Sequence, residues 1–353
     1  MISLKDYASN LMPFLSELEP DDAGIDPAEV SRLYGLDPGQ ILMMSRNENP
    51  YGPSPKVWEA LRSVQLHRYP DSRSFLDALS DYTGYPEENV VAGAGMDEVI
   101  TTVARLFLGK GDKALIPIPT YTLYSLAVRL CGASPVYQQR QKEFEVNPVI
   151  PKGFKIIFLC SPNNPTGNAL SEETVRSIAE STDAVVFLDE AYVEFADKSL
   201  IKMVGDQENL IIGRTLSKAF GLAGLRLGYA VATGWIAEQY RRISPLFSIS
   251  GLSLAAGVAA LEDVEHMKRS VSKIRSERDR IQSRIESAHP SQGNFLYIET
   301  PKRSAEITKS LLERGIVVRD CSPMPGAGEN HIRVTVGTPE QNDKFLEAYS
   351  SVQ

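Results

Sequence analysis

From about residue 75, short continuous apolar runs alternate with longer segments whose apolar residues recur every three or four positions. The first pattern predicts buried strands and the second amphipathic helices. ENVVAGAG reads as a strand ending in glycines, and MDEVITTVARLFLG as a helix closed by Gly109. KALIPIP is a strand, TYTLYSLAVRLCG a helix ending at Gly132, and SPVYQQ a further strand. FKIIFLCSP, AVVFLDEAY, NLIIGRT and LGYAVA have the near-continuous apolar character of strands buried on both faces. Between the first two, SEETVRSIAES reads as a helix with Ser171 as N-cap and two glutamates in its first turn. Strands alternating with helices of this length imply βαβ units and a mainly parallel sheet of seven strands, an α/β fold.

The pattern changes after about residue 235. WIAEQYRRISPLFSISGLSLAAGVAALED predicts a helix interrupted at Pro245 and Gly251, and residues 262–288 carry the mixed charges of a solvated helix face. NFLYIET, GIVVRD and HIRVTVG then alternate with two helical segments, predicting a smaller α+β domain. The first 40 residues, acidic and broken by prolines, predict short helical turns. The expected division is an N-terminal segment (1–48) packing with the small domain, a large domain (49–240) and a small domain (241–353).

Composition narrows the function. The chain has 353 residues and a net charge of −8. That length buries a large core without metal or disulfide staples. That charge argues against nucleic acid or an anionic membrane as partner. Cys131, Cys160 and Cys321 are scattered and odd in number, which reads as reduced thiols in the cytoplasm. The four histidines show no ligand spacing, so no metal site is expected. Neither a signal peptide nor an apolar run long enough to span a membrane is recognisable.

Ligands in open α/β sheets bind beyond the carboxyl ends of the strands, and four polar motifs follow predicted strands here. AGAGMDEVI, including Gly95, Met96 and Asp97, puts a glycine turn before a helix whose free amides suit a phosphate. Taken alone it is equally an ordinary βα turn. SPNNPTG fixes Asn164 in a rigid turn, or is merely a solvent-facing one. In LDEAYVEF, Asp189 ends an apolar strand, where a carboxylate needs a positive partner unless it only caps the next helix. In GRTLSKAFGLAGLRLGYA, Lys218 sits among small and apolar residues that lower an amine pKa, with Thr215, Ser217 and Arg226 nearby. Isolated, Lys218 reads as a surface lysine and Arg226 as a salt-bridge partner. Together the motifs fit pyridoxal phosphate: a lysine for its carbonyl carbon, an acid for its ring nitrogen, donors for its phosphate, and Tyr121 for its flat face.

SPNNPTG, LDEAYVEF and RTLSKAFGLAGLRLGY resemble the fold-type I, class I/II aminotransferases. SRNENPYGPSPKV, HRYPD and HIRVTVGTPEQN are similar to the histidinol-phosphate aminotransferase subfamily, from about residue 41 to the end. The resemblance implies transfer of an amino group between histidinol phosphate and 2-oxoglutarate or glutamate, in histidine biosynthesis. Under it, Lys218 would hold pyridoxal phosphate and shuttle the proton, Asp189 would pair with the ring nitrogen, and Asn164 and Tyr192 would bond the phenolic oxygen. Tyr121 would stack on the ring. Met96 and Asp97 amides, Thr215, Ser217 and Arg226 would hold the phosphate. Tyr69 would reach the cofactor of the neighbouring subunit, making a homodimer with shared active sites. Arg333 would bind the substrate carboxylate and Arg319 a substrate phosphate, with Tyr51, Asn294 and Phe295 near the same pocket. Two positions depart from the family pattern. Met96 stands where a serine is common, and Phe14 follows Pro13 where a tyrosine near the substrate phosphate is common. The second leans toward aromatic amino-acid transamination as an alternative; a related lyase such as a threonine-phosphate decarboxylase is another, since same-fold lyases use much of the same cofactor cradle.

Overall fold

A computed structural model describes Leu11, Phe14, Leu15 and residues 25–352. The short β1 (Leu42–Met43) precedes seven strands that make one sheet: β2 (Val90–Ala94), β3 (Lys113–Ile118), β4 (Ser134–Gln139), β5 (Ile156–Cys160), β6 (Val185–Asp189), β7 (Leu210–Thr215) and β8 (Leu227–Val231). Their order is β2-β8-β7-β6-β5-β3-β4. β8 is antiparallel to both β7 and β2, and every other pairing is parallel. β5, β7 and β8 are buried at every position, as their apolar runs require. β4, at the sheet edge, keeps the polar residues of SPVYQQ partly in solvent.

Helices cover the sheet through narrow apolar stripes. Met96–Phe107 buries Val99, Ile100, Val103 and Ala104 along one face, packed against β2 and β8. Its end differs from the sequence expectation. The helix stops at Phe107, the Leu108 amide closes onto the Ala104 carbonyl, and Gly109 instead donates to Asp112 Oδ2. Leu108 turns into the core in an extended conformation, so the helix ends before the glycine. Gly132 takes the expected left-handed conformation. Ser171 caps Glu172–Glu180 by accepting from the Thr174 amide. Gly251 does not interrupt a helix but opens one, Gly251–Leu261, with Ser250 as cap; the break lies before it, around Pro245.

The C-terminal part contains β9 (Phe295–Glu299), β10 (Ile316–Val317), β11 (Arg319–Asp320) and β12 (His331–Thr335). β11, β12 and β9 form an antiparallel sheet. β1 pairs in parallel with β10, so the N-terminal segment is tied to the C-terminal part by backbone hydrogen bonds. The long helix Val264–Gln282 bridges the two regions, and the main hydrophobic cluster is continuous from β6 and β7 to β9 and β12. Phe158, Phe187, Phe295 and Phe345 are fully buried within these clusters, each worth about 1.5–3 kcal/mol relative to exposure. No helix of the described residues is long and apolar enough to cross a membrane.

Candidate active site

All strands of the main sheet except β8 run the same way, so Ala94, Cys160, Asp189 and Thr215 end at one edge. Ala94 pairs with Leu227, Thr215 with Gly228 and Cys160 with Asp189. Because β8 runs the other way, its first residues lie at that same edge, with Arg226 just before them. The motifs read from the sequence therefore converge, and the loop from Thr215 to Arg226 closes over a short span.

Asp189 is buried. Its Oδ2 accepts from the Tyr124 hydroxyl at 2.7 Å and its Oδ1 from the Ala191 amide at 2.9 Å. Burial pushes its pKa up to about 6, and these two hydrogen bonds only partly oppose the shift. No cation pairs with it among the described residues. Lys218 Nζ donates to the Arg46 carbonyl at 3.0 Å and lies 5.9 Å from the Tyr192 ring centre. Burial, then the nearby charge of Arg333, pushes its pKa down to about 8, which favours the neutral amine far more than for a free lysine.

The phosphate-binding expectation finds a shaped cradle. Gly95, at φ +85°, precedes the helix Met96–Phe107 and offers no side-chain cap, so the first-turn amides of Met96 and Asp97 have no intrahelical acceptor. A Cβ on Gly95 would come within 2.6 Å of Arg226 Nη2, and one on Gly228 within 2.4 Å of the Gly95 carbonyl carbon. Only glycine permits this approach of turn, strand and guanidinium. Thr215 Oγ1 donates to Ser217 Oγ at 3.0 Å and accepts from the Ser217 amide at 3.1 Å. Arg226 holds the left-handed region at φ 49° and pairs with Asp97 Oδ2 at 2.9 Å, while the Tyr121 hydroxyl donates to Asp97 Oδ1 at 3.1 Å. An uncapped helix start, an arginine and two hydroxyls suit a phosphate dianion, and the desolvated acid and amine beside them suit the ring and carbonyl of pyridoxal phosphate.

Opposite the cradle stands Arg333, on β12. Its guanidinium is buried, donates to Asn164 Oδ1 and to the Ser45 carbonyl, and lies 5.6 Å from the Phe295 ring. Its Nε has no partner. Asn294 Nδ2 donates to the Asn47 carbonyl at 3.0 Å, leaving its Oδ1 unpartnered, and Asn47 Nδ2 donates to the Tyr192 hydroxyl at 3.0 Å. Unpartnered buried polar atoms on Arg333 and Asn294 mark a polar receptor for something else.

Three expected residues, Tyr69, Tyr51 and Phe14, are not drawn into this cluster by their contacts. Tyr69 is 82% exposed and stacks on Phe247 at 4.8 Å. Tyr51 lies under Lys273 Nζ at 4.9 Å, facing the helix Val264–Gln282. Arg319, by contrast, stands in register with Arg333 on the neighbouring strand, and its charge acts on the Arg333 guanidinium. Phe14 lines a surface cavity with Lys110, Arg129 and Gly132–Pro135, near the first residues of β3 and β4. That is the opposite end of the strands, so within one chain Phe14 does not reach the substrate pocket. It packs where apolar cover is available at the sheet edge.

Other residues escaped the sequence reading. Tyr124, in the first turn of the helix Leu123–Leu130, is the partner of Asp189; the hydroxyl of a buried tyrosine usually finds one. Asn163 clamps the SPNNPTG turn by accepting from Thr120 Oγ1 and Arg140 Nη2 while donating to the Pro119 carbonyl and Thr166 Oγ1. Asn47 links β12 to Tyr192, and its partners are far away in sequence.

This constellation is that of an amino-group transferase, and comparison with known proteins agrees. Residues 39–348 match the model of the aminotransferase class I and II family, and the chain belongs to that family. Among named relatives, the histidinol-phosphate aminotransferase of Methanosarcina mazei is 45% identical over 333 residues, 91% of this chain and 90% of the relative. The crystal structure of the histidinol-phosphate aminotransferase from Sinorhizobium meliloti in complex with pyridoxal-5'-phosphate aligns with a TM-score of 0.84 at 25% identity, over 98% of this chain and 99% of that one. The L-threonine-O-3-phosphate decarboxylase from Porphyromonas gingivalis shares the fold, with a TM-score of 0.79 at 23% identity over 88% of this chain and 99% of that one.

Proposed function

We propose that this chain transfers an amino group between histidinol phosphate and 2-oxoglutarate, using pyridoxal phosphate, as a cytoplasmic homodimer in histidine biosynthesis. The observation that carries the reading is a desolvated Lys218 beside the Tyr192 ring, close enough to a buried, incompletely partnered Arg333 to feel its charge. An amine that loses its proton readily is what proton shuttling at a substrate carbon needs, and the open Nε of Arg333 is what a 2-oxo acid carboxylate needs. Histidinol phosphate as the amino donor rests on the 45% identical Methanosarcina mazei relative of that name.

Bound pyridoxal phosphate supplies an electrophilic carbonyl and a ring that takes up electron density. The chain's residues do the rest. The Met96 and Asp97 amides, Thr215, Ser217 and Arg226 would hold the phosphate. Asp189, oriented by Tyr124 and the Ala191 amide, would keep a proton on the ring nitrogen. Asn164 and Tyr192 would serve the phenolic oxygen, and Tyr121 the ring face. Lys218 Nζ would hold the cofactor and move the substrate proton. Arg333 would align the carboxylate, with Asn294 beside it and Arg319 toward a substrate phosphate.

The dimer reading rests on the exposed apolar set Leu66, Tyr69, Leu246 and Phe247, at 78%, 82%, 85% and 57% exposure. Tyr69, unattached to its own chain's site, is free to reach a partner's cofactor. We also read the chain as a large domain over 49–240 and a small one over 241–353, the segment 1–48 packing with the latter, as the pairing of β1 with β10 suggests.

The test is a panel of amino donors offered to purified, cofactor-loaded protein with 2-oxoglutarate. Histidinol phosphate should be used at least about 10²-fold more efficiently than phenylalanine. Faster use of phenylalanine would make the activity aromatic transamination, and release of carbon dioxide from an amino-acid phosphate would make it a lyase. Tyr69→Phe should weaken cofactor binding without dissociating the dimer.

A further inference from the structure

One side-chain cluster outside this site has no role in the transfer. β12 and β9 pair His331 directly with Glu299, and the segment before β9 runs alongside it, with the His289 amide donating to the Tyr297 carbonyl. Register places His289, Tyr297, Glu299, His331 and Arg333 on one face of this sheet. Three adjacent stretches of backbone thus present two imidazoles and a carboxylate together. One ligand atom from each lies within 4.8 Å of the other two.

Two further facts set this trio apart from a chance surface group. His289 Nε2 and His331 Nδ1 are both buried and have no hydrogen-bond partner. Each of these orphaned nitrogens carries a cost that an ion would remove. The rings are also held in place. His331 stacks on Tyr297 at 4.5 Å and 6°, His289 stacks on His331 at 5.7 Å, and Phe144 packs edge-on to His289 at 5.0 Å.

We propose that His289, Glu299 and His331 form a binding site for a divalent transition ion, Zn²⁺ being the best match, separate from the transferase centre. Two imidazoles and a carboxylate are borderline ligands that suit zinc over magnesium or calcium, and three protein ligands leave a fourth position for water. With bonds of about 2 Å, two ligands of a tetrahedral ion sit roughly 3.3 Å apart. Glu299 is exposed and has the freedom to close the remaining gap. The ion would tie β9, β12 and the segment before β9 together, two residues along β12 from Arg333, and pin Phe144 of the large sheet's loop against them. The spacing of these three residues in the sequence gives no hint of this; only the register of β9 and β12 assembles them.

The experiment is a titration of metal-free holoenzyme with Zn²⁺ alone, read by competition with a chromophoric chelator, alongside Co²⁺ as a visible-absorption probe. The wild type should take up one ion per chain and gain thermal stability. Glu299→Gln and His331→Ala should each weaken uptake by about tenfold or more and lose the Co²⁺ band. Glu299→Gln alters only an exposed strand-end side chain, so it reports on binding even if the histidine variant folds poorly. Absence of uptake by the wild type, or uptake that both variants leave unchanged, overturns the proposal.

Discussion

Asp189 and Glu190 are neighbours in sequence, both buried, and project to opposite faces at the end of β6. Their surroundings differ completely. Glu190 is saturated: Arg214 donates to it through Nε at 3.0 Å and Nη2 at 2.7 Å, Ser199 Oγ at 3.1 Å and the Leu200 amide at 2.6 Å. Asp189 has a neutral hydroxyl, one amide and no cation. One face of the sheet satisfies its charge internally, and the other leaves its charge short of a partner. A deficit of that kind is what a site holds in reserve for a cationic group on a ligand, which the proposed function identifies with the protonated ring nitrogen. The same contrast recurs between Arg214, fully engaged, and Arg333, whose Nε is open.

The comparison can be broken at four points. Arg214→Met should cost about 3–5 kcal/mol in denaturant unfolding, because it strands Glu190 as an unpaired buried charge, while turnover per folded molecule stays close to wild type. Adding Glu190→Gln should restore much of the loss. Asp189→Asn should do the reverse. Activity falls by about 10²–10³-fold, yet the cofactor-free protein becomes more stable at pH 7, by roughly 3 kcal/mol. The sign comes from the raised pKa of Asp189. Its contribution to stability is full below about pH 4 and is lost as pH rises through about 6, so the variant's advantage should vanish in unfolding measured near pH 4. Tyr124→Phe removes one of the two bonds that oppose this shift. It should weaken cofactor binding by about tenfold, roughly 1.5 kcal/mol, with the loss largest on the acid side of a pH series. The smallest effect belongs to Asp97→Asn. Its half-exposed pair with Arg226 should be worth less than about 1 kcal/mol of stability, and freeing Arg226 should strengthen phosphate binding in a cofactor titration.

How much was legible depended on distance along the chain. The strands, the glycine turn at 93–97, the fixed Asn164 turn and the Lys218–Arg226 segment were readable because each motif is contiguous and each apolar run has one meaning in a doubly covered sheet. The direction of β8 was not, since an apolar run carries no sign of which way it pairs. Nor was Tyr124 as the partner of Asp189, which is 65 positions away. Asn47, whose contacts reach Tyr192 and Thr335, was hidden for the same reason. Phe14, aligned by resemblance to the substrate pocket, lines a cavity at the far end of the strands, because a dipeptide match carries no information about which end of the sheet a side chain outside it meets. Gly109 failed as a helix stop because Leu108, one residue earlier, had a core position to fill.

The reversed strand β8 also sets an order of events during synthesis. Once residue 231 has emerged from the ribosome, every component of the phosphate cradle is present, joined by the short return from Lys218 to Arg226 and closed by the Gly95–Gly228 contact. Arg333 and Asn294 are made only afterwards. The half of the site proposed to grip the cofactor is thus complete in the chain before the half proposed to select the substrate exists.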